Sequence, residues 1–153
     1  MSKKVSERNL LVDEKFIGIP YLLGAKSFQA CDCVGICLLW LKEQGFDYAY
    51  DDGYGKIMKH WYQEKPRRFV DAVLQYGSMI TWADVKKYDL LLFFGIDEIC
   101  KFPTMLGVMI NDRHFLTTFG EENGSHVEML NLVWKSKFWG ALRLHKVVEK
   151  YGH

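Results

Sequence analysis

The stretch VGICLLWLKEQG, residues 34–45, constrains the fold more than any other part of the chain. Val34, Ile36, Cys37, Leu38, Leu39, Trp40 and Leu41 stand too close together for a helix with one wet face, and Gly45 supplies a C-terminal stop. A helix over Val34–Gln44 therefore belongs in the interior, and the rest of the chain has to cover it. With 153 residues, 49% of them apolar and 15% aromatic, there is enough material for one domain with a real core.

The cover is legible downstream. DLLLFF (89–94), TMLGVMI (104–110), RHFLTTF (113–119) and SHVEML (125–130) are short apolar or alternating runs separated by Gly, Asn and Asp, the texture of an antiparallel sheet. INDRH (110–114) reads as a hairpin turn, and GALRLHKVV (140–148) as a last strand. Upstream, a short helix is expected over 12–17, broken by GIPYLLGA (18–25), where Pro20 cannot continue a helix. A weak helix is expected over 55–64. A clearer one opens at Pro66, carries Phe69, Val70, Val73 and Leu74 on one face, and stops at Gly77. Helices first and strands second predict a single α+β domain, 1–153, with helices packed on an antiparallel sheet. The polar residues 1–11 read as a flexible or extended arm.

Composition removes several functions. Twenty basic and 19 acidic residues leave a formal charge of +1, without the basic excess of a general nucleic-acid binder. KPRR (65–68) reads as a solvated helix start. The start of the chain lacks a secretory apolar core, and ICLLWL and LLLFFGI are too short to span a membrane, so a soluble protein without a secretion signal is expected. Three crowded cysteines and a distant Cys100 do not form a disulfide framework.

Those cysteines carry the candidate chemistry. Cys31, Cys33 and Cys37 give C-x-C-x3-C without the second matching knuckle of a structural zinc site, so neither metal nor cofactor is expected. Cys37 and Cys100 read as small buried hydrophobes. Cys33 follows Asp32 at the start of the apolar helix, where unpaired backbone N–H groups can stabilise a thiolate. A nucleophile and a structural cysteine are equally compatible with that local pattern.

FIGIPYLLGAKSFQACDCVGICLLWL (16–41) resembles the N-terminal motif of the NlpC/P60 cysteine peptidases, in which G-x-P-Y-x-x-G precedes D-C-S-G and a buried helix. Gly18, Pro20, Tyr21, Gly24, Asp32, Cys33 and Gly35 fall on that pattern. YDLLLFF resembles the family's G-D-L-V-x-F strand, PTMLGVMINDRHFLTT its P-S-H-V-G-I-Y strand, turn and F-I-H strand, and FWGALRL the closing strand of bacteriophage tail members. The resemblance runs over roughly residues 12–145 in motif order. It implies a papain-like α+β fold and cleavage of peptidoglycan peptide bonds: a cysteine thiolate attacks, a histidine on the second strand acts as base and acid, and a polar residue orients it.

On this matching Cys33 takes the nucleophile position and Tyr21 that of a tyrosine shaping the cleft. Met105 falls where the family has histidine and Thr117 where it has the orienting residue. Methionine cannot move a proton, and general acid–base catalysis is worth about 10² to 10⁴ in rate. His126, on the following strand, is the remaining candidate base; His114, His60 and His145 read as edge or surface residues. The resemblance therefore implies a degenerate peptidase domain with a structural or interaction role, in a virion tail or the host cytoplasm. Its partners would be other tail proteins and a peptidoglycan peptide. The alternative is an active peptidoglycan-cleaving peptidase using Cys33, with a thiol acyltransferase as a third reading. FDYAYDDGYGK (46–56) carries three tyrosines on a polar loop, which marks 46–55 as a docking surface.

Overall fold

The computed structural model describes residues 7–95, 100–119 and 124–152. Its helices are α1 (Cys33–Glu43), α2 (Trp61–Glu64), α3 (Arg68–Leu74), α4 (Leu132–Lys135) and α5 (His145–Tyr151). Its strands are β1 (Gly77–Ile80), β2 (Leu90–Phe93), β3 (Met105–Met109), β4 (His114–Thr117), β5 (His126–Met129) and β6 (Phe138–Leu144). The strands form one antiparallel sheet in the order β1-β6-β2-β3-β4-β5. Strands β2 to β5 run as a meander, and β6 returns to the free side of β2.

Strand alternation splits the sheet into two apolar faces. Leu90, Leu92, Leu106, Val108, Leu116, Val127, Leu142 and Leu144 face Val34, Ile36, Cys37, Trp40 and Leu41 of α1, with Phe69, Val70 and Val73 of α3. The opposite face carries Leu91, Phe93, Met105, Met109, Phe115 and Ala141 around Trp134. Trp134 closes that face from α4, its ring centroid 5.0 Å from Phe93 and 5.2 Å from Phe115. Both faces of the middle strands are thus covered, which is why β2 and β3 are buried at every position and read as continuous apolar runs.

The α+β class and the buried helix agree with the sequence reading, while several boundaries differ. The last strand stops at Leu144, and residues 145–151 turn into α5, which Gly152 ends at φ +75°. The β-branched Val147 and Val148 suggest a strand, but only Val147 is buried, as a helical face allows. Gly77 does not simply end α3: it opens β1, whose Ser78 and Met79 are exposed and carry little strand signal. Over 55–64 only Trp61–Glu64 is helical, and over 12–17 only a 3₁₀ turn, Glu14–Phe16, forms.

Residues 7–11 are not a free arm. They form a 3₁₀ helix docked on the outer edge of β5, where Arg8 Nε donates to Val127 O at 2.8 Å and Val127 N–H donates to Asn9 Oδ1 at 2.8 Å. The docking covers an edge strand that would otherwise present unpaired backbone. Residues 1–6 lie outside the described residues.

The segment 18–32 is laid against the start of α1 by short-range geometry. Gly24 sits at φ +86°, and Asp32 N–H donates to Ala25 O at 3.0 Å. A Cβ on Gly35 would stand 2.3 Å from Ala25 O and 3.1 Å from the Cys31 Cβ, so only glycine lets helix and strap touch. Gly35→Ala is expected to destabilise the domain by on the order of 3 kcal/mol through this overpacking. Urea denaturation checks it; an unchanged midpoint would mean that the strap yields without cost.

Candidate functional site

The site is built outward from Asp32. Its carboxylate caps α1, with Oδ1 accepting from Gly35 N–H at 2.8 Å, while Oδ2 accepts from Gly24 N–H at 2.8 Å. One buried carboxylate therefore joins the helix to the strap. Cys33, the next residue, is half-buried at the base of an open cleft of about 960 Å³. Tyr21 and the strap form one wall. The loop carrying Tyr50 and Asp52, together with α2, forms the other, and Thr104 lies between them.

The second wall is held by a buried ion pair. Arg68 Nε donates to Asp52 Oδ2 and its Nη2 donates to Gly55 O at 2.6 Å, both from the start of α3. Burial, the largest single influence, opposes the Asp52 charge, but the Arg68 hydrogen bond, the backbone N–H donors of Tyr54 and Asp52 and the Arg68 charge together outweigh it and hold the carboxyl below the usual range. Asp52 also accepts from Tyr54 N–H at 3.0 Å, so the loop folds around its own carboxylate. Of the loop tyrosines, Tyr48 and Tyr50 pack on Tyr76 at 5.4 and 6.1 Å, and Tyr50 also lines the cleft. Tyr54 alone is exposed.

The thiol does not behave as a helix-end position suggests. Burial first, and the Asp32 charge second, push Cys33 up to about 12; backbone hydrogen bonds from Leu106, Val34 and Cys33 itself pull the other way and lose. The second cause is local: the cap has placed a negative charge one residue away and has taken the Gly35 N–H for itself. Cys31 rises to about 11 for the same two causes, and Cys37 is buried with its Sγ 3.9 Å from Leu116 O. All four cysteines are free, and among the described residues no three His, Cys, Asp or Glu side chains gather as a metal site.

The strands correct the expected partners of Cys33. Met105 pairs with Phe93 and lies in the cluster around Trp134, on the face turned away from α1. It shares that face with Met109, but it does not point at Cys33. Leu106 is on the α1 face, and Thr104, two positions earlier, lines the cleft. A one-residue difference in matching a strand motif moves a side chain through the sheet. Thr117 likewise alternates with the α1-facing Leu116; its hydroxyl donates to Leu106 O at 2.7 Å. Thr104 and Thr118, one residue before β3 and one after β4, have buried hydroxyls without a hydrogen-bond partner.

His126 stands on the opposite face of the sheet from α1. It flanks the α1-facing Val127 and so lies on the other face, with Nε2 2.8 Å from Glu128 Oε2 and Nδ1 3.0 Å from Gly124 O. The Phe119 ring packs on it at 5.0 Å. His114 contacts Asn111 Oδ1 at 3.2 Å at the hairpin, and burial with nearby Arg8 and Arg113 lowers its pKa. His60 is exposed, as expected, but it stands on the rim of the Cys33 cleft, with Nδ1 3.4 Å from the Tyr62 hydroxyl. Sequence reasoning missed that placement because the loop from 51 to 60 carries no periodic signal.

Solved structures match this architecture. A lipoprotein-like NLP/P60-family protein from Staphylococcus aureus subsp. aureus Mu50 is 17% identical with a TM-score of 0.55, covering 86% of this chain and 38% of that chain. An NlpC/P60-family protein from Bacillus cereus ATCC 10987 is 20% identical with a TM-score of 0.59, covering 84% and 36%. The NlpC/p60 domain of peptidoglycan hydrolase SagA is 18% identical with a TM-score of 0.51, covering 85% and 91%. The chain has the NlpC/P60 fold.

No protein-family model and no curated protein matches the sequence. The chain spans little more than a third of the first two NlpC/P60 structures, so the likeness concerns one domain of them. In this fold burial and the Asp32 charge both favour the neutral form of the helix-end thiol. Its alkylation by iodoacetamide should rise with pH up to at least about 10 without a plateau near neutrality. Asp32→Asn should speed the reaction at pH 8, because the Asp32 charge is one of the two causes of the raised value. A plateau at or below pH 8 in the parent protein would show a thiolate that this geometry does not support.

Proposed function

We propose that this chain is a non-hydrolytic NlpC/P60-fold domain that works by binding, as a structural or assembly protein of a bacteriophage or prophage tail. One observation carries the non-hydrolytic reading: Leu106, on the α1 face of β3, and Thr104, which lines the same cleft as Cys33, can neither accept the thiol proton nor return it. The raised thiol pKa supports it. The tail assignment rests on the resemblance of FWGALRL, which forms β6, to the closing strand of tail members. The partners would then be other tail proteins, and the location the virion tail or the host cytoplasm. Among the described residues no helix is long and apolar enough to cross a membrane.

A second reading is favoured by His60. It lines the same cleft as Cys33, and one neighbour of this fold is named a peptidoglycan hydrolase. Hydrolysis of a wall peptide by Cys33, with His60 moving in from the rim, is the reading to defeat.

Incubation with peptidoglycan stem peptides, followed by mass spectrometry, separates the two. The expected result is no cleavage above a Cys33→Ala control. Cleavage abolished by both Cys33→Ala and His60→Ala would establish the peptidase reading instead. Met105→His should leave Cys33 alkylation unchanged, since that side chain faces the other side of the sheet. Thr104→His should raise the neutral-pH rate by roughly tenfold or more, by bringing an imidazole to the sulfur.

A further inference from the structure

The walls of the cleft are unequal in how their charges are used. Asp32 spends both oxygens on Gly24 and Gly35 N–H groups, and Asp52 is paired with Arg68. Asp51 turns its Oδ1 onto Gly53 N–H at 2.8 Å. The cations are not so engaged. Lys26, Lys56 and Lys59 line the cleft, are exposed, and form no ion pair with any described carboxylate. Lys26 Nζ donates to Gly24 O at 3.3 Å and lies 5.5 Å above the Tyr50 ring.

Between these lysines the surface is aromatic. Tyr21, Tyr50, Trp61 and Tyr62 line the cleft and are each partly exposed. Rings of this kind accept flat apolar or aromatic groups at little entropic cost, and their polar atoms keep the surface wettable. Thr104, whose buried hydroxyl has no hydrogen-bond partner, also lines the cleft. The open form suits a chain laid along it better than a small molecule enclosed by it.

We propose that the cleft, through Lys26, Lys56 and Lys59 around its aromatic floor, binds an extended acidic segment of a partner protein. The proposal rests on the binding role given above and names the chemistry of the partner. Lys26, Lys56, Lys59 and Arg68 against Asp32, Asp51 and Asp52 leave the lining with a net charge of +1, which favours an acidic ligand, and the tyrosines with Trp61 take its apolar side chains. Long-range attraction of an acidic segment also speeds encounter and makes binding salt-dependent.

The probe is a fluorescein-labelled peptide of about ten alternating Glu and Tyr residues, an extended length that suits groove recognition, with a Lys–Tyr peptide of the same length as control. Fluorescence anisotropy should show the Glu–Tyr peptide binding about tenfold or more tightly than the control, and weakening as salt is raised. The triple change Lys26→Glu, Lys56→Glu, Lys59→Glu should cost about tenfold or more with an unchanged melting temperature, since all three side chains are exposed. Equal binding of both peptides, undiminished binding by the triple variant, or displacement of the probe by a stem peptide that binds more tightly would overturn the proposal. Absence of binding would overturn it too, and would leave the non-hydrolytic reading standing. Cys33-dependent cleavage of the probe would sink that reading instead, and affinity measured on Cys33→Ala would then judge the binding site alone.

Discussion

The Asp32 carboxylate is the point on which this domain turns. It is 5% exposed, and each of its oxygens accepts a backbone N–H, one from Gly35 inside α1 and one from Gly24 across the strap. A buried carboxylate is tolerated only when its charge is answered by donors, and here two peptide groups answer it. The same contact fixes where α1 begins. Because α1 lies across β3 and β4, it also fixes where Cys33 stands relative to the sheet. The strap is tied at its other end by Ser125, whose hydroxyl accepts from Ile19 N–H at 2.9 Å and donates to Phe16 O at 2.6 Å. Strap, helix and sheet are thus one hydrogen-bonded unit, and Gly35 removes the side chain that would push them apart.

Much of this was legible because it is dictated locally. An apolar run with no wet face has to be interior, and α1 is. Short runs separated by turn residues have to pair, and β2 to β5 form a meander. The D-C-x-G spacing has a physical meaning in the structure: Asp32 as cap, Cys33 in the first turn, and Gly35 at the closest approach of the strap. What escaped was whatever depends on a partner element rather than on neighbours in sequence. The edge strand β1 carries two exposed residues and becomes a strand only because β6 offers it a ladder.

The error at Met105 is of another kind. A motif of small and apolar residues, P-T-M-L-G-V-M, matches a strand motif well, yet the match fixes the strand without fixing its facing. Pairing does that: Phe93 opposite Met105, and Leu92 opposite Leu106, assign the odd residues of β3 to the Trp134 side and the even ones to α1. Two faces that are both apolar give no hydrophobic alternation from which to read the phase. The cleft wall at 51–60 was illegible for a simpler reason. It is organised by the single pair Arg68–Asp52, between residues 16 positions apart, which no local pattern announces.

The electrostatics of Cys33 follow from the same economy of contacts. A thiolate beside Asp32 would put two negative charges close together with little water to screen them, and the peptide dipoles at the helix end are already shared with the cap. Arg68 cannot offset that charge, being committed to Asp52 and Gly55. The lysines at the mouth are solvated, and water screens their effect on a sulfur at the base of the cleft. An imidazole over Cys33 would act as a charge partner as well as a proton acceptor, making the thiolate tolerable next to its own helix cap. Burial and the Asp32 charge both favour the neutral thiol, and Asp32 remains a buried cap whose two oxygens are each hydrogen-bonded to a peptide N–H. The contact that joins helix and strap is therefore also the one that sets the charge beside Cys33: the hydrogen bonds that make the fold and the electrostatics of the thiol share the Asp32 carboxylate.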